Sequence, residues 1–349
     1  MPPPRFPSPV TLRDVAKKAG VSHVTVSLAL RNNPQIPTAR RAELQELARR
    51  MGYRPNAAAF TLALHKRAAS AVPVSAALAW LNRWPKAKEL RGYAEFDRYW
   101  RGAYEAADKF GYRLEEFICG KHLSPARLEK ILHARGILGI LLPPHPAGVA
   151  WDDFRWERFS AMRFGRSVAS PRLHVVTSDQ VANTMLAFRE MRARGYGRIG
   201  FVTGHAAERG ALYKAGFHMA QEWVSTEARL PSLTLDDTDA AASRKRLSQW
   251  LREARPDAIL SDVAALGTML PRIGCRVPED VGLAALSILD GGASAGINQN
   301  PEEIGRVAVL LILSLMNDHA LGVPSVFRQI LIEGSWVDGN TLPIRRALI

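Results

Sequence analysis

Apolar residues recur at Leu12, Val15, Ala16 and Ala19 with polar positions between them, the spacing of one face of a short helix. Thr11, three residues before Asp14, makes a capping-box start, because the hydroxyl and the carboxylate each take an unpaired backbone N–H. Gly20 supplies the left-handed residue that ends the helix. Ser22 then caps a second helix after a turn too short for anything but a helix-turn-helix. Val21, Val26 and Leu30 are expected to pack back on the first helix, leaving His23, Val24, Ser27 and Leu28 outward. A third helix is predicted over about 38–51 with Ala42, Leu44, Leu47 and Ala48 as its buried stripe. Asn56 caps a further helical stretch over 57–64, which spans under three turns and is marginal in isolation.

From Ala71 onward, short apolar runs alternate with longer helical patterns. Strands are predicted at 72–81, 112–119 and 137–142, with helices at 96–110 and 124–134. A second set follows, with helices at 180–194, 211–223 and 240–254 and strands at 198–203, 257–261 and 281–286. This β-α alternation argues for two parallel sheets flanked by helices, with ligands at the carboxyl ends of the strands and in the cleft between lobes. The segment 82–95, with Arg83, Lys86, Lys88 and Arg91, reads as a solvated basic loop; a lid over an anionic or larger glycan is the second reading. The apolar run 307–316 is half the length of a membrane span and reads as a helix buried in the core or at a subunit interface, opened by Pro301, Glu302 and Glu303. The layout is thus disorder over 1–10, a helix-turn-helix domain over 11–54, a hinge helix and linker over 55–68, a two-lobed core over 71–340 and a tail over 341–349. The Pro-rich start has no apolar stretch of the kind a signal peptide needs, and the tail has no heptad pattern to build a tetramer.

Charge changes the picture for the first unit. Residues 1–67 carry 12 Lys or Arg against 3 Asp or Glu, a net of +9 out of a total of +14. A compact basic three-helix unit suits a phosphate backbone through counterion release, with an acidic protein partner as the lesser alternative. Two Cys far apart, Cys119 and Cys275, read as thiols of a cytosolic protein and not as a disulfide or metal site. No His spacing suggests a metal, and no phosphate loop, nucleophile elbow or zinc motif is present. The adjacent pairs Glu115-Glu116, Asp152-Asp153 and Asp236-Asp237 cannot by themselves flank one glycosidic bond. A non-enzyme without cofactor or metal is expected.

The run Thr-Leu-Arg-Asp-Val-Ala-Lys-Lys-Ala-Gly-Val-Ser-His-Val-Thr-Val-Ser from Thr11, with Gly52-Tyr53-Arg54-Pro55-Asn56, resembles the headpiece of the lactose-repressor (LacI/GalR) family of bacterial transcription regulators. The family pattern is Thr-Leu-x-Asp-Val-Ala-x-x-Ala-Gly-Val-Ser-x-x-Thr-Val-Ser, a long and specific match. The resemblance implies an N-terminal all-α helix-turn-helix headpiece with hinge helix, followed by a two-lobed α/β core of the periplasmic-binding-protein-like kind. It places His23, Val24 and Leu28 at base-reading positions, with Ser22, Thr25, Ser27 and Arg31 nearer phosphates and Thr11 also among the DNA-binding residues. Many members carry Arg where this chain has Leu28; Arg pairs with guanine, whereas Leu offers only apolar contact, for example to a thymine methyl. His23 either donates to a base or fills the groove edge. In the family, paired hinge helices enter the minor groove and a Leu from each wedges into the central step; Asn56, Ala59 and Leu62 hold the corresponding positions.

The resemblance also implies an effector site. Phe96 stands where members place an aromatic ring against a sugar, and Asp179, Asp262 and Gln299 match polar positions of the family. Two positions depart from the pattern: the family's Arg aligns to Ala211, with Arg209 two residues away, and its Phe-Asp-Asp becomes Leu286-Ser287-Ile288, with Asp290 close by. These losses point away from a common monosaccharide. The expected function is a sequence-specific repressor, a homodimer on a pseudo-palindromic operator, switched by a small-molecule effector, most simply a carbohydrate. The other readings are a small-ligand-binding protein with a nonspecific basic DNA anchor and a nucleoid-type protein. A cytoplasmic, nucleoid-associated location without membrane contact follows.

Overall fold

The computed structural model describes residues 10–30, 36–53, 76–120, 123–146, 149, 151–168, 170–204, 207–236, 239–290 and 292–345. Arg31, the hinge with Asn56, Ala59 and Leu62, and the ends at 1–9 and 346–349 lie outside the described residues.

The headpiece is three helices, α1 (Leu12–Ala19), α2 (His23–Leu30) and α3 (Thr38–Arg50). The capping box forms as expected: the Thr11 N–H donates to Asp14 Oδ2 at 2.8 Å, and the Asp14 N–H to Thr11 Oγ1 at 3.3 Å. Gly20 ends α1 at φ 66°, and Ser22 Oγ accepts the Thr25 N–H at 3.0 Å. The small core is Val15, Ala16, Val26, Ala29, Leu44 and Ala48. Ala42 is exposed instead of buried, because two residues from Leu44 is more than half a turn around the helix. The inward side of α3 is completed by polar arms, with Gln45 Nε2 donating to Ala29 O at 2.9 Å and Arg40 to Ala19 O at 3.2 Å.

The core holds two six-stranded sheets. The first lobe contains β1 (Ala76–Asn82), α4 (Ala87–Gly92), α5 (Ala94–Lys109), β2 (Tyr112–Ile118), α6 (Pro125–Ala134), β3 (Gly139–Leu142), β4 (Ser160–Phe164) and β5 (His174–Ser178). The chain then enters the second lobe with α7 (Gln180–Ala193), β6 (Ile199–Thr203), α8 (Ala207–Gln221), β7 (Leu233–Thr234), α9 (Ala240–Ala254), β8 (Ala258–Ser261), α10 (Leu266–Arg272), β9 (Gly282–Ala285) and β10 (Ala295–Asn298). It returns for α11 (Pro301–Asn317) and β11 (Gln329–Ile332), and crosses once more to β12 (Ser335–Val337). The orders are β11-β5-β4-β3-β1-β2 and β12-β10-β9-β8-β6-β7, all parallel except β10 with β12.

One sequence expectation changes here, and another resolves to one of its two alternatives. The segment 82–95 is not merely a solvated loop: it folds into α4, whose Leu90 is fully buried against the first lobe. The apolar run at 307–316 belongs to α11 and is a core element, with Ile304, Ala308, Val309 and Ile312 fully buried under the first sheet. Helices α5 and α11 cross in backbone contact. A Cβ at Gly102 would lie 1.9 Å from the Glu302 carbonyl oxygen, and one at Gly305 2.2 Å from that of Tyr99.

The three crossovers between lobes are tied to one another. The Asp179 N–H donates to Ile332 O at 2.9 Å, the Gly334 N–H to Asn183 Oδ1 at 2.7 Å, and Asn300 Nδ2 to Glu333 O at 2.9 Å. Asn300 takes the left-handed conformation, φ 53°, that lets the chain turn from β10 into α11. Among the described residues, no helix is long and apolar enough to cross a membrane.

Candidate functional site

The first candidate surface is the N-terminal end of α2. His23 and Val24 are exposed there, Val24 by 53 %, and no described residue covers that apolar side chain. Thr25, Ser27 and Leu28 are half-buried, so Ser27 and Leu28 present an edge and not a whole side chain. Ser22 and Thr25 share a hydroxyl hydrogen bond of 2.9 Å, which fixes both beside the first turn. Arg13, Lys17 and Lys18 on α1 are exposed, as are Thr11 and Ser22. A helix N-terminus with hydroxyls at its surface, an apolar tip and cations nearby matches what a groove edge and its phosphates offer.

The second candidate is the cleft between the lobes. Glu95 and Tyr99 come from α5 in the first lobe, and Arg209 and Tyr213 from the first turns of α8 in the second. Asp262 follows β8, Asp290 lies in the 3-10 turn Ile288–Asp290 after β9, and Gln299 follows β10. Strand ends and helix starts thus deliver these groups to one place. Burial works against the charge on Arg209, but Tyr213, Glu95, Asp262 and Asp290 outweigh it and raise its pKa. Burial raises Asp262, against the pull of Arg209 and of its bonds to Thr203 and the Gly204 N–H, the latter 3.1 Å. Burial and the charge of Glu95 push Asp290 up to about 6, with Arg209 opposing. Asp290 nevertheless exposes much of its area and Asp262 and Arg209 some, as groups at the bottom of an open cleft do. A small cavity of about 10 Å³ lies beside Asp262 and Asp290, lined also by Ser261, Ser287 and Ala293.

Tyr99 donates to Glu95 Oε1 at 2.5 Å, and burial, then the Glu95 charge, raises its phenol well above the ordinary value. Burial likewise raises Tyr213, whose Oη accepts from Gln299 Nε2 at 2.9 Å. Gln299 also donates to Leu286 O at 2.7 Å, so its amide nitrogen holds the wall of the site. An aromatic wall runs alongside: Trp84 meets Tyr93 at 5.4 Å, Tyr93 meets Phe96 at 5.3 Å, and Phe96 meets Tyr99 at 5.9 Å. The Trp84 indole N–H is committed to Pro144 O at 2.8 Å. Nearby, His145 accepts the Arg83 N–H at Nε2, so Nδ1 donates to Pro143 O; burial lowers it to about 4 and keeps it neutral.

Of the sequence-derived effector residues, the structure gathers Arg209, Asp262, Asp290 and Gln299, and puts Phe96 in the adjoining wall. Asp179 is not among them: it caps α7 by accepting the Ala182 N–H at 2.9 Å and belongs to the crossovers. Glu95, Tyr99, Tyr213 and Trp84 escape sequence spacing. One signal for Glu95 exists, since it lies on the buried stripe of α5 with Tyr99, Gly102, Ala103 and Ala106, where a charge is anomalous. Among the described residues, no group of three His, Cys, Asp or Glu is placed to hold a metal ion.

Residues 11–56 match the model of bacterial regulatory proteins, lacI family, and residues 188–340 that of a periplasmic binding protein-like domain. The headpiece thus carries a LacI-family domain and the core a periplasmic-binding-protein-like one. Over its length the chain is similar to the transcriptional repressor PurR of Serratia proteamaculans, 23 % identical over 96 % of this chain and 99 % of that one. It is similar also to the repressor CytR of Escherichia coli K12, 25 % identical over 93 % and 96 %. Among solved structures, the regulator CelR in complex with cellobiose superposes with a TM-score of 0.57 at 18 % identity, covering 95 % of this chain and 99 % of that one. The lac repressor dimer bound to operator and an anti-inducer gives 0.52 at 18 %, covering 96 % and 100 %. These likenesses establish a LacI-family fold of headpiece plus two-lobed core.

Proposed function

We infer that this chain is a DNA-binding transcriptional repressor that works as a dimer on a two-fold symmetric operator and is switched by a small molecule in the interlobe cleft. The observation that carries this reading is the coexistence, on one chain, of a basic helix-turn-helix with an open recognition tip and a polar, aromatic-walled cleft between hinged lobes. PurR and CytR are named as repressors, and CelR and the lac repressor were solved with a sugar and with operator, which supports the assignment. Nothing in the cleft calls for chemistry: it gathers groups that bind and orient. His23, Val24 and Leu28 would read bases, Ser22, Thr25, Ser27 and Arg31 would lie nearer phosphates, and Thr11 would join them at the DNA. Asn56, Ala59 and Leu62 would form the minor-groove hinge. Work on DNA supports a cytoplasmic, nucleoid-associated location.

Coupling follows from the three tied crossovers. A ligand that favours one angle between the lobes changes the spacing of paired headpieces, and it shifts operator affinity only as far as it binds the two angles differently. Selection of bound duplexes from a random pool at about 150 mM salt tests the reading. A palindromic consensus with a fixed centre is the expected result; binding without consensus that disappears as salt rises would refute it. Leu62→Ala should then weaken consensus binding strongly and binding to random DNA little.

A further inference from the structure

We propose that the cleft takes an effector carrying a protonated amine on a hydroxylated ring, an amino sugar in chemical class, and rejects uronates and other anions. This rests on the regulator reading above and adds the charge of its ligand.

Glu95, Asp262 and Asp290 all act on the single guanidinium of Arg209. Arg209 itself makes no hydrogen bond or ion pair with any described residue. Glu95 is only 6 % exposed and spends Oε1 on the Tyr99 phenol, leaving Oε2 without a hydrogen bond among the described residues. Among the described residues, one cation against three carboxylates leaves an excess of negative charge at the bottom of the cleft, where partial burial strengthens the interaction between charges relative to the open surface. A uronate that paired with Arg209 would meet that excess directly; an ammonium group would relieve it.

The neighbouring charges do not change this balance. Asp97 is paired with Arg91 at 2.9 Å and Arg101 at 2.7 Å, and Arg98 with Glu302 at 3.3 Å. Arg83 is turned onto the Trp151 ring at 5.3 Å and acts on His145 and Cys119, not on the cleft acids. His145 is neutral, as its two hydrogen bonds require. A bare metal ion is not the answer either, because no three ligating side chains are placed to hold one among the described residues. What remains is a cation with a body. The wall of Trp84, Tyr93 and Phe96 suits the apolar face of a sugar ring and also attracts an adjacent ammonium, while Arg209 donates to ring hydroxyls.

The test uses the full-length protein and matched ligands. Glucose, glucosamine and glucuronate, the same three forms of galactose, and cellobiose with its diamino counterpart are titrated by calorimetry at pH 7.5. The amino member of at least one set should bind ten-fold or more tighter than its neutral form, with no uptake of the uronate. Glu95→Gln and Asp290→Asn, each checked by circular dichroism and dimer size, should shrink that preference toward unity. Lowering the pH below 6 should do the same in the parent protein, because Asp290 then takes up a proton. A neutral or uronate form binding as tightly as the amine overturns the proposal, as does failure of every compound to bind. Recovery of a palindromic operator alongside either result would leave the regulator reading intact and discard only the ligand class.

Discussion

Leu28 stands on α2 with only part of its side chain in solvent, and α2 carries no Asp, Glu, Lys or Arg. Any operator contact it makes is therefore apolar. Leu28→Arg should introduce a preference for guanine at one symmetric base pair, worth about 1–3 kcal/mol of discrimination, as read by duplex selection with the variant. An unchanged consensus would remove Leu28 from the base-reading set. Asp290 carries a different consequence. Its folded pKa, about 6, lies above that of an ordinary carboxylate, chiefly through burial, so its contribution to stability is present at low pH and is lost as pH rises through 6. Asp290→Asn should raise the melting temperature of the ligand-free protein above pH 6 and leave it nearly unchanged at pH 4; equal effects at both would show that charge is not what the site resists.

Helices α5 and α11 meet where neither can carry a side chain, since a Cβ at Gly305 falls 2.2 Å from the Tyr99 carbonyl oxygen. Gly305→Ala must push the two helices apart, and a cost of about 1–3 kcal/mol, visible as a lower melting temperature, is expected from such overpacking. At the headpiece, Thr11→Ala removes one half of the capping box and should cost the first helix about 1 kcal/mol. Such caps are local, which is why the headpiece could be read from sequence almost turn by turn. The sheets were legible only in part. Strand β4 reads Ser-Ala-Met-Arg-Phe and is wholly buried, so neither alternation nor an apolar run marks it; its Arg163 is held by the Val168 carbonyl, a partner five residues away. Strands β5, β10, β11 and β12 are similarly short or polar, and pairing across the sheet, not local pattern, sustains them. The cleft was legible to the extent that a family pattern points to single positions. Arg209 lies two residues from the expected place and still reaches the site, while Glu95 and Tyr213, which face each other from different lobes, have no common spacing to betray them.

On the scale of the whole molecule, charge is segregated: the first fifth of the chain holds +9 of the +14. Affinity for DNA should therefore fall steeply with salt, with a log–log slope of about −0.9 for each phosphate neutralised, and a charge-removing change at Lys17 or Lys18 should lower that slope without altering the consensus. The interlobe path has another outcome. Because the backbone passes between lobes at 178–180, 298–301 and 332–335, neither lobe corresponds to one continuous stretch of chain. A single proteolytic nick at a crossover cannot release a lobe, and a chimaera that exchanged one lobe with a relative would need three junctions placed at once. The headpiece, in contrast, is joined by one strand of chain. A single exchange upstream of Ala76 can therefore pair a new operator choice with an intact sensing core, whereas the two lobes travel together in any exchange made with fewer than three junctions.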